Sequence, residues 1–276
     1  MTTANPFFSI IIPALNEEKY LPLLLSDLSQ QTYQNFEVII VDGQSNDKTI
    51  AKSQQFASKL PSLKILISKI KNVSVQRNLG ADKAKGEYLV FNDADNRLPT
   101  YFLEGLHYRL ITSSTDLFTC WTLPDTDKSS DKNISTYYNI LIETTQLINQ
   151  PSAFGALIGC RHSIFGHIRF KPEIGFAEDA QFVRDGCEKG YIYTIFRDPK
   201  YIYSLRRFRQ HGTIKTLQKY AMLNLKFFTK QKVNQKTEYP MGGHVFSQFP
   251  QQLPNISKKP KLLEKIRNIL TQLEES

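Results

Sequence analysis

Four short apolar runs in the first hundred positions, each followed by a polar turn and a stretch with helical periodicity, set the pattern of this chain. Phe7 to Ile12, closed by Pro13, then Phe36 to Val41, Leu63 to Ile67 and Glu87 to Phe91 have the length and composition of buried strands. Between them Leu21, Leu24, Leu25 and Leu28 recur at helical spacing. Gly43 permits a tight turn, and Asn46 or Asp47 can cap the helix after it. Helix signals resume at Asn72 and run to Ala84, with Gly86 as the stop. Strand and helix alternating in this way predict an α/β fold, a mostly parallel sheet with helices on both faces. Right-handed crossovers then bring Asn16, Asp42 and Asp93 to one edge of that sheet. Open α/β sheets bind their ligands at this carboxyl edge.

The fourth strand runs out of apolar residues into Asn92-Asp93-Ala94-Asp95. Two carboxylates this close repel each other and are costly to bury unless a cation or a hydrogen-bonded ligand shares the site. Mg²⁺ takes one or two carboxylates and completes its octahedron with water and phosphate oxygens. The plainer alternative is that Asp93 and Asp95 cap the helix that Pro99 opens. The first strand is followed by Ala-Leu-Asn-Glu, so the Gly-x-Gly-x-x-Gly cradle of dinucleotide-binding folds is missing.

Further along, Tyr101 to Leu110 continues as helix and Leu117 to Leu123 as strand. Residues Pro124 to Lys132 read as a polar loop, a candidate mobile segment, and Ile134 to Ile148 as a helix. Ala153 to Cys160 is rich in small residues that would let a ligand approach the backbone. Glu178 and Asp179 open another helix, where acidic side chains suit the macrodipole. Gly212 to Lys230 has helical spacing with Lys215, Lys219, Lys226 and Lys230 in one sector, an interfacial helix or a solvated lysine face. Pro240 to Pro260 reads as irregular, and Pro260 to Glu275 as a last amphipathic helix.

Hydrophobic content of 41% and charged content of 22% are those of an ordinary folded protein. No apolar run reaches membrane-spanning length, the start predicts no secretory leader, and three cysteines without metal spacing predict free thiols. These features together predict a cytoplasmic protein, with the inner face of the cell membrane as a second address. The net charge of +9 is concentrated: Arg197 to Lys236 carries eleven basic residues against one acid, Asp198. Such a segment calls for an anionic partner, a phosphorylated substrate, an anionic membrane or nucleic acid.

Four motifs now stand in order: Ile11 to Glu18, Val38 to Thr49, Gln76 to Ala81 and Gly86 to Asp95. Together they resemble the family 2 glycosyltransferases, whose nucleotide half has the GT-A fold. The resemblance implies a three-layer α/β/α enzyme that moves a sugar from a nucleotide diphosphate sugar to a glycan or polyprenyl-phosphate acceptor, with inversion and with Mg²⁺ or Mn²⁺. It implies that Pro13, Asn16 and Glu17 line the nucleotide pocket and that Asp42 meets the base or ribose. Arg77 would reach the base or phosphates, Asp93 the ribose and metal, and Asp95 the metal. Asp179 would be the general base, with Glu178 orienting the acceptor or the base. Relatives carry a downstream Val-x-His that this chain replaces with Tyr201 to Phe208, leaving His211 as a candidate third ligand. Arg206, Arg207 and Arg209 would meet the diphosphate or the acceptor.

The expected organisation is a GT-A domain over 1–235, with a nucleotide half (1–100), an acceptor half (101–210) and a basic helix (211–235), then a tail over 236–276. Two rival readings accompany it. A non-catalytic binder of nucleic acid or anionic lipid on the same scaffold would leave Asp42, Asp93, Asp95 and Asp179 without a joint purpose, and nucleic acid is the less expected partner. A sugar nucleotidyltransferase would need a basic, glycine-rich triphosphate loop near the N-terminus, which this sequence lacks.

Overall fold

The computed structural model describes residues 5–153 and 155–212, together with 215, 216 and 222. Seven strands among them form one sheet: β1 (Phe8–Ala14), β2 (Phe36–Asp42), β3 (Leu63–Ile67), β4 (Tyr88–Asn92), β5 (Leu117–Pro124), β6 (Leu157–Arg161) and β7 (Tyr193–Tyr203). Their order is β3-β2-β1-β4-β6-β5-β7. The first four are parallel as the alternation predicts, β6 is antiparallel to both its neighbours, and β5 pairs β7 in parallel.

Seven helices accompany the sheet: α1 (Leu21–Ser29), α2 (Thr49–Gln54), α3 (Val73–Ala81), α4 (Phe102–Ile111), α5 (Ser129–Leu147), α6 (Glu178–Glu188) and α7 (Arg206–His211). The two-residue period of the strands divides the core. Ile10, Ile12, Val38, Ile40 and Val90 pack with α1 and α4 on one face. Ile11, Ile39, Val41, Leu89 and Phe91 pack with α3 and α6 on the other. Every position of β1, β2 and β4 is buried, which is why these strands read as unbroken apolar runs.

Several boundaries differ from the sequence expectation. Strand β1 continues through Pro13, which is in register with Val41 of β2. Pairing with β4 ends at Ile11, so the proline lies where one side of the strand is already open and its missing donor is tolerated. The run of small residues contains β6, whose Gly159 lies under the Phe118 ring; a Cβ there would come within 2.2 Å of it. Helix α5 begins at Ser129, so the second half of the expected loop is helical. Strand β7 is hidden in the sequence because Arg197-Asp198-Pro199-Lys200 interrupts its apolar pattern. Helix α7 ends at His211, with Gly212 at φ 81°, and beyond it the Thr216 N–H donates to the Gly212 carbonyl and 215, 216 and 222 are helical, as the expected helix from Gly212 requires. Most of the expected basic helix (211–235) and the whole tail (236–276) lie outside the described residues. Among the described residues no helix is long and apolar enough to cross a membrane.

The acidic turn after β4 is braced from two sides. Asp27 of α1 receives Arg97 Nε at 2.5 Å and Nη2 at 2.6 Å, and also the Leu98 N–H. Gln31, just past the end of α1, donates to the Pro99 carbonyl and accepts from the Leu103 N–H. On the other side Arg97 and Ile202 of β7 exchange two backbone hydrogen bonds, and the Asp93 N–H donates to the Ala156 carbonyl. Both members of the Asp27–Arg97 pair are largely buried. Arg97→Met, which strands the Asp27 carboxylate, is expected to cost about 3–5 kcal/mol in denaturant unfolding. The double replacement Asp27→Asn/Arg97→Met should recover part of that loss, and equal losses in the two variants would show that the pair does not brace the turn.

Candidate active site

The carboxyl edge of the sheet gathers two linked clusters of charge. In the first, Arg206 of α7 donates to both oxygens of Glu17, at 3.0 and 2.8 Å, and its Nε lies 2.9 Å from Asp95 Oδ2. Its guanidinium lies over the Tyr20 ring, 4.7 Å from the centroid. In the second, Arg77 of α3 donates to Glu178 at 3.0 Å, to Asp93 at 3.1 Å and to the Gly155 carbonyl at 2.8 Å. It stacks over Phe170 and is 2% exposed. Arg77 is thus enclosed between the acidic turn and the start of α6, where it holds carboxylates rather than facing the open edge.

Asp93 joins the clusters, since its charge feels Arg77, Asp95, Glu178 and Arg207. About a third of its side chain remains open, although its carboxylate sits low in the cleft. Burial, opposed by Arg77 and reinforced by Asp95 and Glu178, pushes it up to about 6. Burial likewise lifts Glu17 to about 7 against the attraction of Arg206. For Arg206, burial alone would weaken protonation, but Asp95 and Glu17 outweigh it. The two shifts pull in opposite directions on one pair. The bidentate geometry favours the charged form, because two parallel N–H donors reward an ionised carboxylate.

Asp179 stands in the first turn of α6 beside Glu178. Burial and the neighbouring Glu178 charge raise it well above the usual carboxylate range, while Arg77 and the N–H groups of Ala180 and Gly155 act against this. The residue before the pair, Ala177, is left-handed, with φ 59° and ψ 33°. A non-glycine residue held there is strained, and strain of this kind gathers at functional turns. Gly155 is a site residue that the sequence did not single out. A Cβ on it would lie 2.8 Å from Asp179 Oδ2 and 3.1 Å from Arg77 Nη2, so only glycine lets these groups close over the backbone.

The remaining candidates are placed more plainly. Asp42 accepts from the N–H and hydroxyl of Ser45, and Asn16, left-handed at φ 54°, accepts from the Asn46 N–H through its side chain. In this arrangement the Asn16 N–H donates to the Ser45 hydroxyl oxygen, and both residues shape the turns after β1 and β2 on the same edge. Pro13 is buried within β1. Asp47, rather than Asn46, meets the Thr49 N–H at the start of α2. Gln76 donates to the carbonyls of Ala14 and Val41 and ties those strand ends together. Arg207 is half-buried within the field of Asp93 and Arg206. Arg209 is bound by both its Nη groups to Asp125, so it anchors α7 to the turn after β5. The His211 side chain lies outside the described residues. Among the described residues no three histidine, cysteine or acidic side chains converge as a metal cage.

The sheet order, the helices on both faces and the acidic carboxyl edge define a GT-A-like α/β protein. The chain belongs to glycosyl transferase family 2, whose family model matches residues 9–169, more than half of its length. It is similar to the cholesterol galactosyltransferase of Borreliella burgdorferi, 29% identical over 109 residues that make up 40% of this chain and 30% of that protein. A PGL/p-HBAD biosynthesis glycosyltransferase of Mycobacterium bovis is 39% identical over 97 residues, 34% of this chain and 38% of that protein. The chain thus matches well under half the length of these curated relatives. Among solved structures, Staphylococcus aureus TarS residues 1–349 in complex with UDP aligns with a TM-score of 0.58 at 23% identity, covering 72% of this chain and 60% of that one. The mannosyltransferase PcManGT of Pyrobaculum calidifontis, in complex with GDP-Man and Mn²⁺, aligns at 0.60 and 19%, covering 80% and 65%.

Asp93 binds its proton more tightly in the folded chain than at its ordinary value of 3.8. Its contribution to stability is therefore full below that value and is lost as pH rises through about 6. In ligand-free protein the thermal midpoint should fall between about pH 4 and pH 6, and the fall should be smaller in Asp93→Asn; identical profiles for the two proteins would refute this. Gly155→Ala should cost about 1–3 kcal/mol by overpacking against Asp179, read from denaturant unfolding, and a neutral substitution would show that the close approach is not required.

Proposed function

We propose that this protein transfers a sugar from a nucleotide diphosphate sugar to an acceptor hydroxyl or phosphate, with inversion. The observation that carries the reading is the juxtaposition, through Arg77, of Asp93 in the turn after β4 with the Glu178-Asp179 pair. One carboxylate group faces where a diphosphate would leave, and another lies where an acceptor would enter. Family membership and the solved neighbours bound to UDP or GDP-Man support a donor of this class.

In this reading Asn16, Glu17 and Asp42 line the nucleotide pocket on the turns after β1 and β2, with Pro13 behind them. Asp93 and Asp95 hold Mg²⁺ or Mn²⁺. The donor set suits such an ion: both are hard oxygen ligands, with Arg77 at 3.1 Å from Oδ1 of Asp93 and Arg206 at 2.9 Å from Oδ2 of Asp95. Such an ion would be held by these two carboxylates and would need no third protein ligand, since it readily keeps water and phosphate oxygens. The bound cation would supply neutralisation of the departing diphosphate.

Arg206 and Arg207 add positive charge on the same side, from α7. Asp179 takes the proton of the acceptor hydroxyl as its oxygen bonds to the anomeric carbon, and the bond from that carbon to the diphosphate oxygen breaks. A carboxyl group raised toward neutrality by burial is matched to this task, because a general base works best near the operating pH. Glu178 fixes the start of α6 through Arg77. The acceptor class that fits is a glycan or a polyprenyl phosphate, and the relatives' names include a cholesterol galactosyltransferase.

The decisive experiment is calorimetric titration of UDP, GDP and their common sugar conjugates with Mn²⁺ and then with EDTA. One nucleotide should bind in a metal-dependent way, and Asp95→Asn should weaken that binding. Asp179→Asn should lower turnover by about 10² to 10⁴ while leaving nucleotide affinity intact. Folded protein that binds none of these nucleotides, or an Asp179→Asn variant with wild-type turnover, would overturn the assignment.

A further inference from the structure

The guanidinium of Arg206 lies against one of the two carboxylates of the acidic turn. Its Nη groups hold both oxygens of Glu17, at 3.0 and 2.8 Å, and its Nε lies 2.9 Å from Asp95 Oδ2. The Tyr20 ring covers the guanidinium from one side. The cluster is nearly closed: 6% of the Glu17 and Arg206 side chains and 13% of the Asp95 side chain are exposed, against 37% for Asp93. Mg²⁺ or Mn²⁺ needs open positions around it for several water or phosphate oxygens. Asp93 offers that opening, and Asp95 does not while the guanidinium lies against Oδ2.

The helix behind the guanidinium is held in place. Asp125 accepts from Arg209 Nη1 at 2.7 Å and Nη2 at 2.6 Å, and from the Leu205 N–H at 3.3 Å. Leu205 and Phe208 pack on Ile134 of α5, with Tyr138 against them. A cation therefore gains Asp95 Oδ2 by a rotation of the Arg206 side chain and not by a swing of α7. The bidentate contact with Glu17 keeps the rotated guanidinium close by. Charge decides when that rotation is favourable. A divalent ion arriving by itself meets a positive charge, and in so enclosed a place like charges repel strongly. An ion arriving with a diphosphate brings an anion that can receive the guanidinium, because phosphate oxygens match the forked donors of arginine.

We propose that the Glu17–Arg206 pair makes this site selective for a divalent cation accompanied by a diphosphate, and against the cation by itself. Arg206 neutralises Asp95 until a diphosphate draws the guanidinium away. Glu17 is the positioning residue that keeps it within reach of both. In the pocket that Glu17 lines, its carboxylate thus acts through Arg206, since both its oxygens are engaged there. The inference rests on the reading of Asp93 and Asp95 as the cation's ligands, and its test separates the two.

The test is titration of Mn²⁺ alone into the full chain, read from the paramagnetic resonance signal of the unbound ion. Calorimetry then gives nucleotide affinity with and without Mn²⁺. Wild type should bind Mn²⁺ alone weakly and gain nucleotide affinity when Mn²⁺ is present. The double variant Arg206→Met/Glu17→Gln removes one charge of each sign, so the summed charge of the cluster is unchanged. It should bind Mn²⁺ alone about tenfold more tightly, and the Mn²⁺-induced gain in nucleotide affinity should shrink by a similar factor. Arg206→Lys keeps the charge but loses the fork that spans Glu17 and Asp95; it should also tighten Mn²⁺ alone, and it carries the comparison if the double variant does not fold. Folded variants that bind Mn²⁺ alone no more tightly than wild type would overturn the proposal and leave the cation reading standing. Nucleotide binding that Mn²⁺ alters in none of these proteins would instead remove the cation from the site, and this inference with it.

Discussion

A guanidinium cut off from solvent, that of Arg77, joins the two halves of this molecule. Its positive charge is answered by Asp93 from the turn after β4 and by Glu178 from α6, and a carbonyl and a phenyl ring close the remaining sides. Burying such a charge is costly unless acceptors surround it; both Nη groups find theirs while Nε has none among the described residues, so Gly155, Phe170 and the start of α6 must all be in place. The same contacts fix the distance between the acid beside the proposed metal and the acid proposed as base. Transfer between two bound partners depends on that distance more than on any single contact.

The acidic turn itself contributes little to its own stability. Asp93 and Asp95 repel each other, and their position is maintained by neighbours: Asp27 of α1, Gln31 just after it, Ile202 of β7 and Ala156 before β6. Arg206 crosses from α7 to Glu17 and Asp95 on the open side. The site is thus an excess of carboxylates constrained by a rigid frame.

Helix α5 shows how local satisfaction of backbone groups can override hydrophobic patterning. Asn139 and Ser135 face the sheet beside Ile134 and Ile142, because β5 has lost its neighbour there and Asn139 takes up the Thr122 backbone groups. Sequence periodicity reports which residues share a helix face, but it does not report which face is inside.

The sequence by itself determined the alternation of strands and helices through β4, the edge on which Asn16, Asp42 and Asp93 meet, and Glu178 and Asp179 at the head of α6. Each of these is written in near neighbours: unbroken apolar runs, turn residues and caps act over a few positions. Tertiary structure alone decided the reversal of β6, the existence of β7 and the enclosure of Arg77. Arg77 and Glu178 are 101 positions apart, and Arg206 and Glu17 are separated by 189. No local pattern carries such a pairing, because a charge is buried only where distant elements close around it and supply the opposite one.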